Sequence, residues 1–123
     1  MKRLGIVSAA IISVVMLATS AFAQDLNKGW DAYEAGDYAT ALQEFRPLAG
    51  QGNAYAQTNL GVMYESGQGV PQDYAEAAKW YQLATDQGNA GAQGQLGYLY
   101  QLGKGVAKDE AKAVELYRAA AEQ

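Results

Sequence analysis

The chain has 123 residues, with 9 Lys and Arg against 13 Asp and Glu, a formal net charge of −4, and neither His nor Cys. That is enough for one modest domain around one hydrophobic core. It excludes an imidazole base, a thiolate nucleophile, a disulfide framework, thiol lipidation and zinc sites built from Cys and His.

Lys2 and Arg3 precede an apolar run from Leu4 to Ala18, broken only by Gly5, Ser8 and Ser13, and Ala21-Phe22-Ala23 follows as a small-x-small cleavage pattern. These flanks predict a secretory signal peptide over 1–23, cleaved after Ala23. A membrane anchor needs about 20 apolar residues, whereas this run is shorter and carries two serines. The expected product is a soluble chain of residues 24–123 in the periplasm or outside the cell, with no stable membrane insertion. Without Lys2 and Arg3 it keeps 7 basic side chains against 13 acidic ones. Such a chain has no Lys/Arg cluster to displace counterions from a phosphate backbone and is repelled by anionic lipid, so nucleic acid is not expected as a partner.

The remainder repeats itself. Residues 37–72 laid over 73–108 agree at 16 of 36 positions, where a composition rich in Ala, Gly and Gln gives roughly four by chance. A third copy starts at Asp109 and keeps the register. Within a period the apolar positions step by three and four, as in helices that bury one face.

In chain order, Asp25 to Ala35 reads as a first helix, closed by Gly36-Asp37-Tyr38 and opening a pair over 25–51. The second pair, 54–87, has helices from Ala54 to about Ser66 and from Asp73 to about Gln87. Leu60, Gly61 and Tyr64 share a face of the former; Tyr74, Ala77, Ala78, Tyr81 and Ala84 share a face of the latter. The third pair, 90–123, repeats this with Leu96, Gly97 and Tyr100, then Ala113, Tyr117 and Ala120. Asp73 and Asp109 stand as N-caps, and Gly52, Gly67, Gly88 and Gly103 stand where helices end in a left-handed residue. Gly61 and Gly97, with Ala77 and Ala113, leave room for aromatic knobs: Tyr64, Tyr81, Tyr100 and Tyr117. No segment alternates like a strand. The expectation is an all-α solenoid, a right-handed superhelix of antiparallel helix pairs with about six helices, near the minimum length for a continuous stacked core.

The pattern Ala-x-Ala-Gln-x-x-Leu-Gly-x-x-Tyr-x-x-Gly-x-Gly-Val-x-x-Asp-Tyr-x-x-Ala-x-x-Trp-Tyr-x-x-Ala, from Ala54 to Ala84, resembles the SEL-one-like repeat (SLR), a relative of the tetratricopeptide repeat. It recurs from Ala90 to Ala120 with Glu110 in place of Tyr74 and Leu116 in place of Trp80. The opening pair, with its Gly-Asp-Tyr turn, Ala41 and Phe45, is more similar to the tetratricopeptide pattern. The resemblance implies a non-enzymatic adaptor that holds a peptide or protein partner in a concave groove lined by the first helix of each pair. Cysteine-rich members are linked with penicillin or cell-wall binding, which implies the alternative of a cell-wall-associated binding protein or a β-lactamase-like hydrolase. This chain departs from them at every cysteine.

The residues themselves offer little chemistry. After the leader there is one serine, Ser66, with Thr40, Thr58 and Thr85, and none has a His or a Gly-x-Ser-x-Gly setting. Asp37, Glu44, Asp73, Glu76, Asp109 and Glu110 could supply paired carboxylates, but capping and the helix dipole account for carboxylates at helix starts. The Gly-x-Gly turns lack the third glycine and the preceding strand of a phosphate cradle. No catalytic residue, cofactor or metal site is expected.

Binding is what remains. With Leu60-Gly61 and Leu96-Gly97 in the core, the first-helix positions expected to turn away are Tyr55, Thr58, Val62 and Glu65, then Gly91, Gly94, Tyr98 and Gln101. Trp30, Tyr33 and Glu34 are their equivalents in the opening pair. The candidate groove is therefore Trp30, Tyr33, Tyr55, Thr58, Val62, Glu65, Tyr98 and Gln101, with the aromatics as rigid anchors or, alternatively, as fillers between helices. Trp80 is expected to pack between helices. The last helix carries Val114, Leu116, Tyr117, Ala119, Ala120 and Ala121, an apolar face that a second copy, another subunit or a further region is expected to cover; self-association through this helix is the first of those options.

Overall fold

The computed structural model describes residues 26–123, so the leader assigned to 1–23, its cleavage after Ala23 and the start of the opening helix lie outside the described residues. Those residues form six helices and no strand: α1 (26–34), α2 (Tyr38–Gly50), α3 (Ala54–Ser66), α4 (Tyr74–Asp86), α5 (Ala90–Leu102) and α6 (Glu110–Ala121).

Each helix from α2 onward begins where a short polar side chain satisfies a free amide. Asp73 accepts from the Glu76 N–H at 3.0 Å and Asp109 from the Lys112 N–H at 3.0 Å. Asn53 and Asn89 do the same for α3 and α5, each at 2.9 Å. Asp37 accepts from the Thr40 N–H at 3.2 Å, and the hydrogen bonds from Thr40 hold its carboxyl below the usual carboxylate range. Glu44 does not belong with the helix-start carboxylates. It sits in mid-α2 and meets Lys28 Nζ at 3.3 Å, tying α1 to α2.

Gly67 and Gly103 close α3 and α5 with φ of +67° and +68°, the left-handed stop that L side chains resist. The second glycine of each Gly-x-Gly turn has another task. Gly105 lies so close to α4 that a Cβ there would fall on the backbone of Tyr74 and Ala75, and Gly69 nests in the same way against Tyr38 and Leu42 of α2. The turn inside one pair is thereby docked onto the second helix of the pair before it.

Successive helices pack in series, α2 on α3, α3 on α4, α4 on α5 and α5 on α6, and α3 also meets α5 directly. The first helices thus form an inner layer and the second helices an outer one. Two clusters make up the core, one centred on Phe45, Leu60 and Met63 and the other on Tyr81, Leu96 and Leu99. Trp80 packs against the first of them.

A glycine notch recurs in every pair. Gly29 receives the Phe45 ring, Gly61 the Tyr81 ring and Gly97 the Tyr117 ring; an added Cβ would lie 2.7 Å from Phe45 Cε1, would overlap the Tyr81 ring, and would lie 3.0 Å from Tyr117 Cε1. The Tyr81 hydroxyl then reaches Glu65 Oε1 at 3.0 Å, and the Tyr117 hydroxyl reaches Gln101 Oε1 at 2.7 Å. One expectation needs correcting here: Leu116, placed with Val114 and Tyr117 on the uncovered face of the last helix, turns inward with Ala113 and is buried. Tyr117 fills its notch yet stays 37% exposed, where Tyr81 is fully buried. The reason is positional: α5 covers the far side of α4, and among the described residues no helix does so for α6.

Burial and the adjacent Glu65 carboxylate push the Tyr81 phenol well above its ordinary range. A raised folded-state value means that this tyrosine's contribution is fully present below the ordinary tyrosine value of about 10 and is lost as pH rises toward the folded value. The melting-temperature gap between the parent and Tyr81→Phe should therefore shrink above about pH 10. Thermal melts of both proteins across that range check this, and a gap independent of pH would contradict it.

Candidate functional site

The inner layer carries two adjoining clefts. The first, of about 310 Å³, lies between α1 and α3 and is lined by Leu26, Asn27, Trp30, Tyr55 and Asn59. The second, of about 580 Å³, lies between the N-terminal ends of α3 and α5, with Thr58, Asn89 and Gly91 among its walls. Tyr55 and Asn59 line both. They sit four residues apart, on one face of α3, and form the ridge between the clefts. No lining side chain of either cleft is charged.

Of the eight residues singled out in the sequence, the structure brings Trp30 and Tyr55 together in the first cleft, and Tyr55 and Thr58 in the second. Trp30 is 45% exposed and Tyr55 69% exposed. Trp30 stacks on Tyr33 with ring centroids 5.6 Å apart and planes 17° from parallel. Tyr33 is held in turn, donating to Gln68 Oε1 at 3.0 Å while Gln68 Nε2 donates to the Tyr38 hydroxyl at 3.3 Å. The Thr58 hydroxyl lies 2.9 Å from the Ala54 carbonyl and 3.2 Å from Asn89 Oδ1, so it braces the second cleft from within.

The other residues sit elsewhere. Tyr33, Glu65 and Gln101 each stand four residues after a notch glycine, Gly29, Gly61 or Gly97. Glu65 and Gln101 therefore lie over the ring seated in their notch and accept its hydroxyl, turning toward the second helix of their own pair. Val62 is half-buried against the second core cluster. Tyr98 is 41% exposed but lines neither cleft, with Lys104 Nζ 5.7 Å from its ring centroid and 5.1 Å from that of Tyr74.

The sequence reading missed Asn27 and Asn59. A signal for them existed, since Asn27, Asn59 and Gln95 stand two residues before Gly29, Gly61 and Gly97. This gives a row of side-chain amides at one register of the three first helices. Other amides are engaged in the fold: Gln57 Nε2 donates to the Ala49 carbonyl at 3.1 Å, Gln87 Nε2 to Gln57 Oε1 at 2.9 Å, and Gln123 Nε2 to Gln93 Oε1 at 2.8 Å. Among the described residues there is no cluster of three or more potential metal-binding side chains, and no helix long and apolar enough to cross a membrane.

Comparison with known proteins agrees with this architecture. No curated protein matches the chain. Among solved structures, a Sel1 repeat protein from Oxalobacter formigenes is 39% identical with a TM-score of 0.74, over 77% of this chain and 39% of that one. The protein c5321, a protective antigen of uropathogenic Escherichia coli strains with an SLR fold, is 38% identical with a TM-score of 0.78, over 90% of this chain and 25% of that one. The chain therefore spans well under half the length of either. Cysteine-rich protein B of Helicobacter pylori shares the fold at 23% identity and a TM-score of 0.64, over 83% of this chain and 87% of that one. The Sel1 repeat, a helical repeat that generally serves as a non-catalytic scaffold for protein–protein interaction, matches residues 54–89 and 90–123. Two consecutive repeats over more than half of its length establish that this chain belongs to the Sel1 repeat family.

Proposed function

We propose that the chain is an exported, non-enzymatic interaction module that holds a peptide segment of a partner protein across the concave face of α1, α3 and α5. The observation that carries this reading is the ridge of Tyr55 and Asn59 between two uncharged clefts, with Trp30 at one edge. Exposed aromatics with few rotatable bonds make favourable anchors, because little side-chain freedom is lost on binding. Trp30 is already held against Tyr33. Scarcity of nucleophiles and of general bases fits a scaffold rather than a catalyst.

Two results are expected. With the chain as bait in a bacterial envelope extract, Tyr55→Ala loses a partner that the parent retains, with binding at least about tenfold weaker. Its folding stability stays within about 0.5 kcal/mol of the parent, as at other exposed positions. Equal recovery on both baits would place the binding surface elsewhere. Mass spectrometry of the exported species should find a chain that begins at Gln24; an uncleaved chain beginning at Met1 would refute the leader assignment.

A further inference from the structure

We infer that two copies of the chain pair through one end of the helix stack, the face of α5 and α6 turned away from the second pair, with a two-fold axis at Val114. This pairing is independent of what the inner layer holds.

The repeat identifies the positions that look along the stack. Leu60, Met63 and Trp80 of the second pair pack back against the first core cluster, and Leu96, Leu99 and Leu116 of the third pair lie in the second cluster with Ala77 and Ala78 of α4. Aligned on the notch glycines and on the 36-residue period of the second helices, their counterparts in the first pair are Lys28, Asp31 and Glu44. Every apolar residue of the set has become charged. Lys28 and Asp31 are exposed, and Lys28 Nζ lies 3.3 Å from Glu44. An apolar surface seated on this end would strip water from three charged groups, a cost that ion pairing seldom repays.

The opposite end is built the other way. Val62, Ala78 and Tyr81 look forward and pack with Leu96 and Leu99 of α5. Their counterparts 36 residues on are Tyr98, Val114 and Tyr117, and all three are exposed. Leu102, one turn beyond Tyr98 and in the place of Ser66, is exposed as well. These are four of the seven large apolar side chains exposed among the described residues, so exposed apolar surface gathers at this end of the stack, as it does at interaction sites.

Two features commit that face to a second copy. The first is the contrast between the ends. Head-to-tail stacking would bury Lys28, Asp31 and Glu44 under apolar side chains, so copies join apolar end to apolar end, an isologous contact that closes at two. The second is charge. Glu110, Val114 and Arg118 follow at one-turn intervals on the exposed face of α6. A two-fold axis at Val114 runs α6 antiparallel to its copy, so the carboxylate four residues before the axis faces the guanidinium four residues after it, once on each side. In the single chain Glu110 has Lys108 at 3.5 Å, both side chains being largely in water, and such a pair contributes little. A further helix pair stacked like the first three is a poorer complement. Tyr38 and Tyr74, the counterparts of Glu110, are partly buried against the core clusters, and a carboxylate at that position would lose water under such a pair. Four apolar side chains from each copy make a small contact beside a standard interface of about 1,600 Å². The pair therefore forms with a Kd on the order of 100 μM and is apart at the low micromolar concentrations of an unfolding experiment.

The test is sedimentation equilibrium of the exported chain from about 10 μM to about 1 mM, with ¹H–¹⁵N NMR spectra over the same dilution series. The mass should rise from one chain toward two and no further. Concentration-dependent shifts should fall on Tyr98, Leu102, Val114 and Tyr117 and spare Lys28 and Asp31. Val114→Glu sets two carboxylates against each other at the axis and should weaken pairing at least about tenfold, with the melting temperature of the dilute chain unchanged. Glu110→Arg and Arg118→Glu should each weaken pairing by placing like charges together. An equimolar mixture of those two variants should pair at least as well as the parent, because one then presents two bases and the other two acids at the facing positions. A single-chain mass at the highest concentration, growth beyond two chains, shifts at the Lys28 end, pairing that survives Val114→Glu, or a mixture that stays apart while the parent pairs would each overturn the inference. A chain that stays single yet captures an envelope partner through Tyr55 would remove only the pairing, whereas a chain that pairs but captures its partner independently of Tyr55 would remove only the reading of the inner layer.

Discussion

Replacing Gly105 with Ala should lower folding stability by about 2–5 kcal/mol, a large share of what a domain of this size has. Two costs coincide at this residue. Its φ of +72° is unfavourable for any L side chain, and the new Cβ would fall on the backbone of Tyr74 and Ala75 at the start of α4. A side-chain neighbour can rotate away, but the first turn of a capped helix cannot. The comparison positions grade the effect. Gly69 has a φ of +74° but would meet mainly the Tyr38 and Leu42 side chains, each at 2.9 Å, and Gly36 has a φ of +80° with open space around it. Urea unfolding of the three alanine variants should rank Gly105 above Gly69 above Gly36, with Gly36→Ala costing only the backbone term of about 1–2 kcal/mol. Equal costs at Gly36 and Gly105 would show that the turn is not docked on α4.

Truncating Tyr81 to Ala should cost about 3–5 kcal/mol, the range for removal of a large aromatic side chain from a core. The ring is fully buried, fills the notch above Gly61, and carries the hydroxyl that reaches Glu65. Tyr117→Ala removes the equivalent ring of the next repeat, yet that ring is 37% exposed. It should cost clearly less, since hydrophobic stabilisation follows the area removed from water. Denaturant midpoints of the two variants at constant m-value decide the matter, and Tyr117→Ala matching Tyr81→Ala would mean that α6 is covered in solution.

Much of the fold was readable because a repeat states its rules more than once. Asp at the start of each second helix, Gly at the end of each first helix and the three-four step of Leu60, Gly61 and Tyr64 each recur 36 residues later, so helix positions did not depend on any single weak signal. The notch glycines Gly61 and Gly97 were also readable, because a glycine on the buried face of a helix needs a large neighbour to fill its space, whereas Gly29 lies in the opening pair, outside the repeated pattern. Two things were not. Exposure of Tyr117 depends on which helix covers the next face, a property of place in the array rather than of the repeat. The membership of the binding face was harder still: Tyr33, Glu65 and Gln101 share the outward-looking spacing of Tyr55. Only their hydroxyl and amide partners, set by the tilt of neighbouring helices, turn them back toward the fold. Asn27 and Asn59 escaped notice because polar residues on a helix read as ordinary solvated surface until adjacent helices align them.

The central claim, that partners are held on the inner layer, is tested most directly by placing a photocrosslinking amino acid at position 55 on α3 and, in a second protein, at the exposed position 43 on α2. Irradiation in an envelope extract is predicted to give a discrete partner adduct from position 55 and none from position 43. An adduct from position 43 alone, or the same adduct from both, would contradict the account.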